Sequence, residues 1–144
     1  MIKPKQIQRP QLVMIVDDHE INRDAIGAIL EDDYELIFAE NGREALDMFR
    51  RSERGYYDAV LMDIRMPEKD GLETAEGIRA LERPDASAVP IIAMTANAFD
   101  EDVQRSLQAG MNAHLSKPVE PERLYKTLGE LIWISKQKEK GEIV

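Results

Sequence analysis

Short apolar runs alternate with helical patterns along this chain, and four of the runs end in residues suited to phosphate or metal chemistry. Leu12–Val16 leads into Asp17 and Asp18; Val60, Leu61 and Met62 lead into Asp63. Ile91, Ile92, Ala93 and Met94 lead into Thr95; His114, Leu115 and Ser116 lead into Lys117 and Pro118. Apolar strands separated by helices predict a parallel sheet covered on both faces, with ligands gathering outside the carboxyl ends of its strands. If the four runs belong to one sheet, three carboxylates, a hydroxyl and an ammonium share one rim.

The full pattern predicts five strand–helix units and a doubly wound α/β sandwich. Strands are expected at 12–16, 34–39, 59–62, 91–94 and 113–116. After the first, Ile21, Ala25, Ala28 and Ile29 recur at helical spacing as an apolar stripe. Asn41 with Glu44 three residues on resembles a capping box, opening a helix that buries Ala45, Met48 and Phe49. Residues 65–71, punctuated by Pro67 and Gly71, read as a loop before a helix carrying Leu72, Ala75, Ile78 and Leu81. Residues 83–88 read as another loop. The fourth helical pattern places Phe99, Val103 and Leu107 four apart and closes at Gly110. Pro121 suits the first turn of the last helix, which is expected to bury Leu124, Leu128, Leu131 and Ile132.

At 144 residues the chain has the length of one domain. Residues 1–11, with Pro4 and Pro10, read as a linker or lead-in, 12–135 as the globular domain, and 136–144 as a charged tail. The net charge of −9 argues against direct nucleic-acid contact, since a nucleic-acid binder needs a basic surface. The absence of cysteine removes disulfides and thiolate metal sites and suits a reducing cytosol. No run approaches the roughly 20 apolar residues of a membrane span, so a cytoplasmic location is expected.

Three carboxylates held close repel one another unless a cation or proton intervenes. Magnesium fits, because it takes oxygen ligands and typically uses one or two carboxylates together with waters and a phosphate. Asp18 and Asp63 are the expected direct ligands, with the Arg65 backbone carbonyl beside them and Asp17 acting through water. An aspartate is also a nucleophile toward phosphorus. Asp63, alone at the end of a central strand, is the candidate. Lys117 would then neutralise one phosphoryl oxygen and Thr95 donate to another. Taken singly, each residue has an ordinary reading as a helix cap, a solvated loop residue or a turn; their joint placement at four strand ends favours the site. Nucleotide-binding and serine-hydrolase motifs are absent. His19 reads as a solvated helix-start residue.

Val16-Asp17-Asp18, Leu61-Met62-Asp63-Ile64-Arg65-Met66-Pro67 with Asp70-Gly71, Met94-Thr95-Ala96 and Ser116-Lys117-Pro118 together resemble the receiver domains of two-component response regulators. The likeness covers about residues 13–131. The wording around Ala96-Asn97-Ala98-Phe99 and Ala109-Gly110-Met111-Asn112 is most similar to receivers of hybrid sensor histidine kinases. The resemblance implies a flavodoxin-like five-stranded sheet in the order 2-1-3-4-5. It implies that Asp63 is the phosphoacceptor, that Asp17, Asp18, Asp63 and the Arg65 carbonyl serve magnesium, and that Lys117 binds the phosphoryl group. Thr95 would be the switch hydroxyl. His114 stands where the family often has a rotating Tyr or Phe, which makes it a candidate switch residue. The implied partner is a histidine kinase or a histidine phosphotransfer protein, and the implied output face is the fourth helix, fifth strand and last helix, through which a weak dimer could form. A cis Lys117–Pro118 bond is expected. The domain would catalyse its own phosphorylation and dephosphorylation without turning over an independent substrate. Only 27 residues follow Lys117, too few for a DNA-binding output domain, which leaves a stand-alone receiver or a piece of a longer chain.

Two other classes compete. Phosphatases of the haloacid dehalogenase type also combine an Asp nucleophile with magnesium, Thr and Lys, but they place it on the first strand with a second Asp two residues later. Here Arg65 stands two past Asp63. A receiver that binds partners without phosphorylation would usually lack a site residue, and none is missing.

Overall fold

The computed structural model describes residues 10–66, 69–96, 100–139 and 141, with residues 100–102 as backbone only. In chain order the elements are β1 (Leu12–Val16), α1 (Glu20–Leu30), β2 (Glu35–Ala39), α2 (Gly42–Arg51), β3 (Ala59–Asp63) and α3 (Gly71–Arg79). They continue with α4 (Pro84–Ala88), β4 (Ile91–Thr95), α5 (Asp100–Gln108), β5 (Ala113–Ser116) and α6 (Pro121–Glu139). All strand pairs are parallel, and the order is β2-β1-β3-β4-β5, as expected.

The period of two along each strand sorts the core into two layers. Leu12, Met14, Val16, Val60, Met62, Ile91 and Ala93 pack with Ala45 and Phe49 of α2, Leu72, Ala75 and Ile78 of α3, and Ala86 of α4. Val13, Ile15, Leu61, Ile92, Met94 and Leu115 pack with Ile26 and Leu30 of α1 and Leu124, Leu128 and Ile132 of α6. β1, β3 and β4 are buried throughout, which explains why they read as unbroken apolar runs.

Five sequence expectations need correction. Residues 83–88 are not all loop, because Pro84 sits in the first turn of a short helix with Asp85 as its acidic residue, an arrangement Pro tolerates. That helix makes six among the described residues. In α1 the buried stripe is Ile26, Gly27 and Leu30; Ile21 is 82% exposed, and Ala25 and Ala28 also face solvent. Ile26 and Leu30, four apart, meet the sheet; of the predicted stripe, Ile29 packs beside them, partly buried, while the other three face solvent. In α5, Leu107 is 55% exposed while Ser106 is buried, so the helix turns Ser106 rather than Leu107 inward. Phe99 lies outside the described residues. Finally, α6 continues through Lys136 to Glu139, where the charged tail was expected to begin. Lys136 Nζ lies 2.8 Å from the buried carboxylate of Asp58, so this part of the helix is tied to the body of the domain. Leu131 is only half-buried.

Among the described residues, no helix is long and apolar enough to cross a membrane.

Candidate functional site

Because β1 and β3 are neighbours, the residues at their carboxyl ends meet. Asp17 follows β1 directly, held by its backbone N–H to the Ala39 carbonyl at 3.2 Å. Asp63 ends β3. Both side chains are buried. The Lys117 ammonium reaches in from the end of β5, 2.9 Å from Asp17 Oδ2 and 3.2 Å from Asp63 Oδ2. The Lys117–Pro118 bond is cis, as expected. Thr95 is buried at the end of β4, and its carbonyl accepts the Lys117 backbone N–H at 2.9 Å.

The acidic residues have unequal support. Asp17 Oδ1 accepts the His19 backbone N–H at 2.9 Å and lies 3.5 Å from Asn22 Nδ2. Arg23 Nη1 donates to the Asp17 carbonyl at 2.7 Å. Asp63 Oδ1 accepts only the Arg65 backbone N–H among the described contacts, at 3.3 Å. Asp18 Oδ1 is buried and has no hydrogen-bond partner. Burial pushes the Asp63 carboxyl above its ordinary value, and the Asp17 charge adds to that, against the pull of Lys117 and the Arg65 N–H. Burial draws the Lys117 ammonium down, but Asp17 and Asp63 outweigh it and leave its pKa raised.

Asp17 and Asp63 thus share one ammonium, and beside them Asp18 has a buried oxygen that accepts no hydrogen bond among the described residues. This donor set fits a hard divalent cation, because oxygen ligands and excess negative charge are what such an ion takes. Oxygen atoms of Asp17 and Asp18 and a ring nitrogen of His19 all lie within 4.8 Å of one another.

Asp17 and Asp63 thus converge on Lys117, with Asp18 beside Asp17 and Thr95 one strand away. His114 lies deeper, opposite Ala93 in the β4–β5 register, half-buried on the sheet face opposite Leu115. Sequence reasoning missed three supports. Asn22 and Arg23 hold Asp17 from the first turn of α1, at a spacing visible only once the helix start is fixed. Gly71 is the third: a Cβ there would lie 2.3 Å from the Asp63 carbonyl oxygen, so glycine lets α3 begin against the site.

The order of the sheet and the acidic switch point define a class of phosphorylation-responsive α/β domain. The chain belongs to the response regulator receiver domain family, which matches residues 13–129, and so is a receiver domain of two-component phosphorelay signalling. It is 39% identical over 117 residues to the signal transduction histidine-protein kinase BarA of Escherichia coli, covering 81% of this chain but 12% of BarA. It is 38% identical over 120 residues to the polar-differentiation response regulator DivK of Brucella anthropi, covering 83% of this chain and 94% of DivK. The receiver domain of the sensor histidine kinase PA1611 from Pseudomonas aeruginosa, solved with a magnesium ion in its active-site cleft, superimposes with a TM-score of 0.77. It is 38% identical, with 86% of this chain and 98% of that one covered. The chain thus spans a small part of the kinases it matches and nearly all of DivK.

Proposed function

We propose that Asp63 accepts the phosphoryl group, with Lys117 as the fixed positive charge, Thr95 as the switch hydroxyl and a magnesium ion held by Asp18, Asp63 and the Arg65 carbonyl, with Asp17 in support. An Asp63 oxygen bonds to phosphorus as the bond from phosphorus to the donor imidazole nitrogen breaks, and the imidazole leaves with that electron pair. The magnesium ion, when bound, supplies positive charge to the phosphoryl oxygens. The observation that carries this reading is Lys117 Nζ seated between Asp17 and Asp63 while Asp18 Oδ1 accepts no hydrogen bond among the described residues. Most of what phosphoryl transfer needs is positioning and charge neutralisation, and the Lys117 ammonium beside Asp63 supports this reading.

The donor is a histidine kinase or a histidine phosphotransfer protein. It would approach over the exposed stripe of Ile21, Ala25 and Ala28. Beside that stripe is a groove of about 150 Å³ lined by Ala25, Ile26, Ile29, Lys117, Pro118 and Val119. Phosphorylation would draw Thr95 inward and alter the face formed by α5, β5 and α6, with His114 beneath it. The parent protein would be a hybrid sensor kinase, with this domain on the cytoplasmic side.

Incubation with acetyl phosphate and magnesium tests the assignment. One phosphoryl group should appear by intact mass, and alkali or hydroxylamine should remove it. Asp63→Asn should gain none; an equal gain by that variant would move the nucleophile elsewhere.

A further inference from the structure

We propose that His19 supplies a nitrogen donor to the cation site at Asp17 and Asp18, so that the site prefers a first-row transition ion such as nickel or cobalt over magnesium. This rests on the carboxylate cluster being a divalent-cation site.

His19 is the N-cap residue of α1, yet its side chain makes no capping hydrogen bond. The N-caps of α2 and α3 behave differently: Asn41 accepts from Glu44 N–H and Asp70 from Glu73 N–H. An N-cap normally carries Ser, Thr, Asp or Asn because their oxygens satisfy a free helix N–H. Capping does not account for this imidazole. Its backbone is fixed beside the acids by the N–H to Asp17 Oδ1 at 2.9 Å.

The ring is turned toward the carboxylates. Nδ1 lies 3.2 Å from Asp18 Oδ1 and 3.6 Å from Asp17 Oδ1. The shorter pair does not form a hydrogen bond, since Asp18 Oδ1 has no such partner. For metal–ligand bonds of about 2.1 Å, adjacent donors lie about 3.0 Å apart in an octahedron and about 3.4 Å in a tetrahedron. The nitrogen and the Asp18 oxygen are therefore spaced as two ligands of one ion, off the line that joins them. The His19 side chain is 69% exposed, which leaves the open side of the ion to water. Magnesium gains little from imidazole, whereas nickel, cobalt and zinc gain a strong ligand.

Calorimetric titration of the full chain at pH 7.5 with nickel and with magnesium tests this, comparing wild type with His19→Ala, His19→Asn and Asp18→Asn. Nickel affinity should fall roughly ten-fold or more in both His19 variants, with magnesium affinity changing far less. Cobalt bound to the wild type should give the His19 ring the large contact shifts of a directly bonded imidazole, beyond the through-space shifts that His114 shares, a readout that needs no variant. An equal loss for both metals, no loss, or only through-space cobalt shifts at His19 would overturn the role of His19. Tighter binding of both metals by His19→Ala would also overturn it, showing the ring to be a competing cation. Any of these results with magnesium binding intact leaves the phosphoacceptor reading standing. Failure of wild type to bind magnesium, or Asp18→Asn binding both ions like wild type, would remove the site that both readings share.

Discussion

Asp58 and Asp63 flank the same strand, five residues apart, and both are buried, yet their surroundings are opposite. Asp58, at the amino end of β3, is saturated: Oδ2 accepts the Leu12 N–H at 2.8 Å, and Oδ1 meets Lys136 Nζ at 2.8 Å. No second acid contacts it among the described residues. Asp63, at the carboxyl end, shares one lysine with Asp17 and accepts a long backbone bond from Arg65. A buried carboxylate with full partners holds a fold together; one left short of positive charge is ready to take up a cation or a phosphoryl group. The parallel sheet separates the two roles, since its carboxyl ends carry the loops that open to ligands.

The largest difference should be chemical. Asp63→Asn should abolish the hydroxylamine-sensitive phosphoryl group, and Asp58→Ala should retain it in whatever fraction stays folded, as read by intact mass after acetyl phosphate treatment. Loss in both variants would break the division of roles.

Stability should invert the order. Asp58→Ala removes a buried acceptor from the Leu12 N–H and a partner from Lys136, at a cost of about 2–3 kcal/mol. Asp63→Asn should do the reverse in metal-free buffer. Its raised pKa means that the ionised carboxyl weighs against the folded state above the ordinary range, so removing the charge should add up to about 1 kcal/mol. Urea midpoints at pH 7.5 decide this, and a lower midpoint for Asp63→Asn would show that Lys117 more than offsets the crowding.

Much of that contrast was legible in the sequence, but only on one side. The run from Val60 to Asp63 announces an acid at the end of a buried strand, and Lys117-Pro118 announces the lysine's turn. Asp58 carries no such signal, because its partner Lys136 lies 78 residues away on a segment that composition marks as tail. The same limit hid Gly71, whose missing Cβ matters only against the Asp63 carbonyl. It also hid the orientation of α1: apolar spacing fits Ile21, Ala25 and Ala28 as well as Ile26 and Leu30, and only the sheet decides between them. The α4 turn was missed because Pro84 reads as a breaker until its place at the start of a helix is known. Strand ends are local in sequence; what they touch is not.

Magnesium should sharpen the comparison further. An ion that binds only the folded state stabilises it by about 1.4 kcal/mol at ten times its dissociation constant. Wild type and Asp58→Ala should both gain on addition of millimolar magnesium, whereas Asp18→Ala should gain much less. A similar rise in melting temperature for all three would place the ion away from the cluster.

The last contrast concerns a third acid, Asp85, whose environment acts on it in the opposite sense to that of Asp63. Arg83 grips both its oxygens at 2.7 Å, and the Gly55 N–H adds a bond at 2.9 Å. The same guanidinium reaches the Phe49 and Ser52 carbonyls at 3.1 and 3.0 Å, and so ties the end of α2 to the start of α4. The hydrogen bonds from Arg83 lead the effects that hold the Asp85 carboxyl below its ordinary value of 3.8, against the cost of its burial. A depressed pKa contributes stability that is complete above the ordinary value and is lost as the pH falls through the folded one. Replacing the clamp by Arg83→Met should therefore cost about 1–2 kcal/mol at neutral pH, with the gap to wild type narrowing below about pH 4. Asp63 titrates in both proteins and cancels from the difference. Urea midpoints between pH 7 and 2.5 measure the gap, and one that stays constant to the acid end would show that Arg83 acts through its carbonyl contacts and its packing on Phe49, not through Asp85.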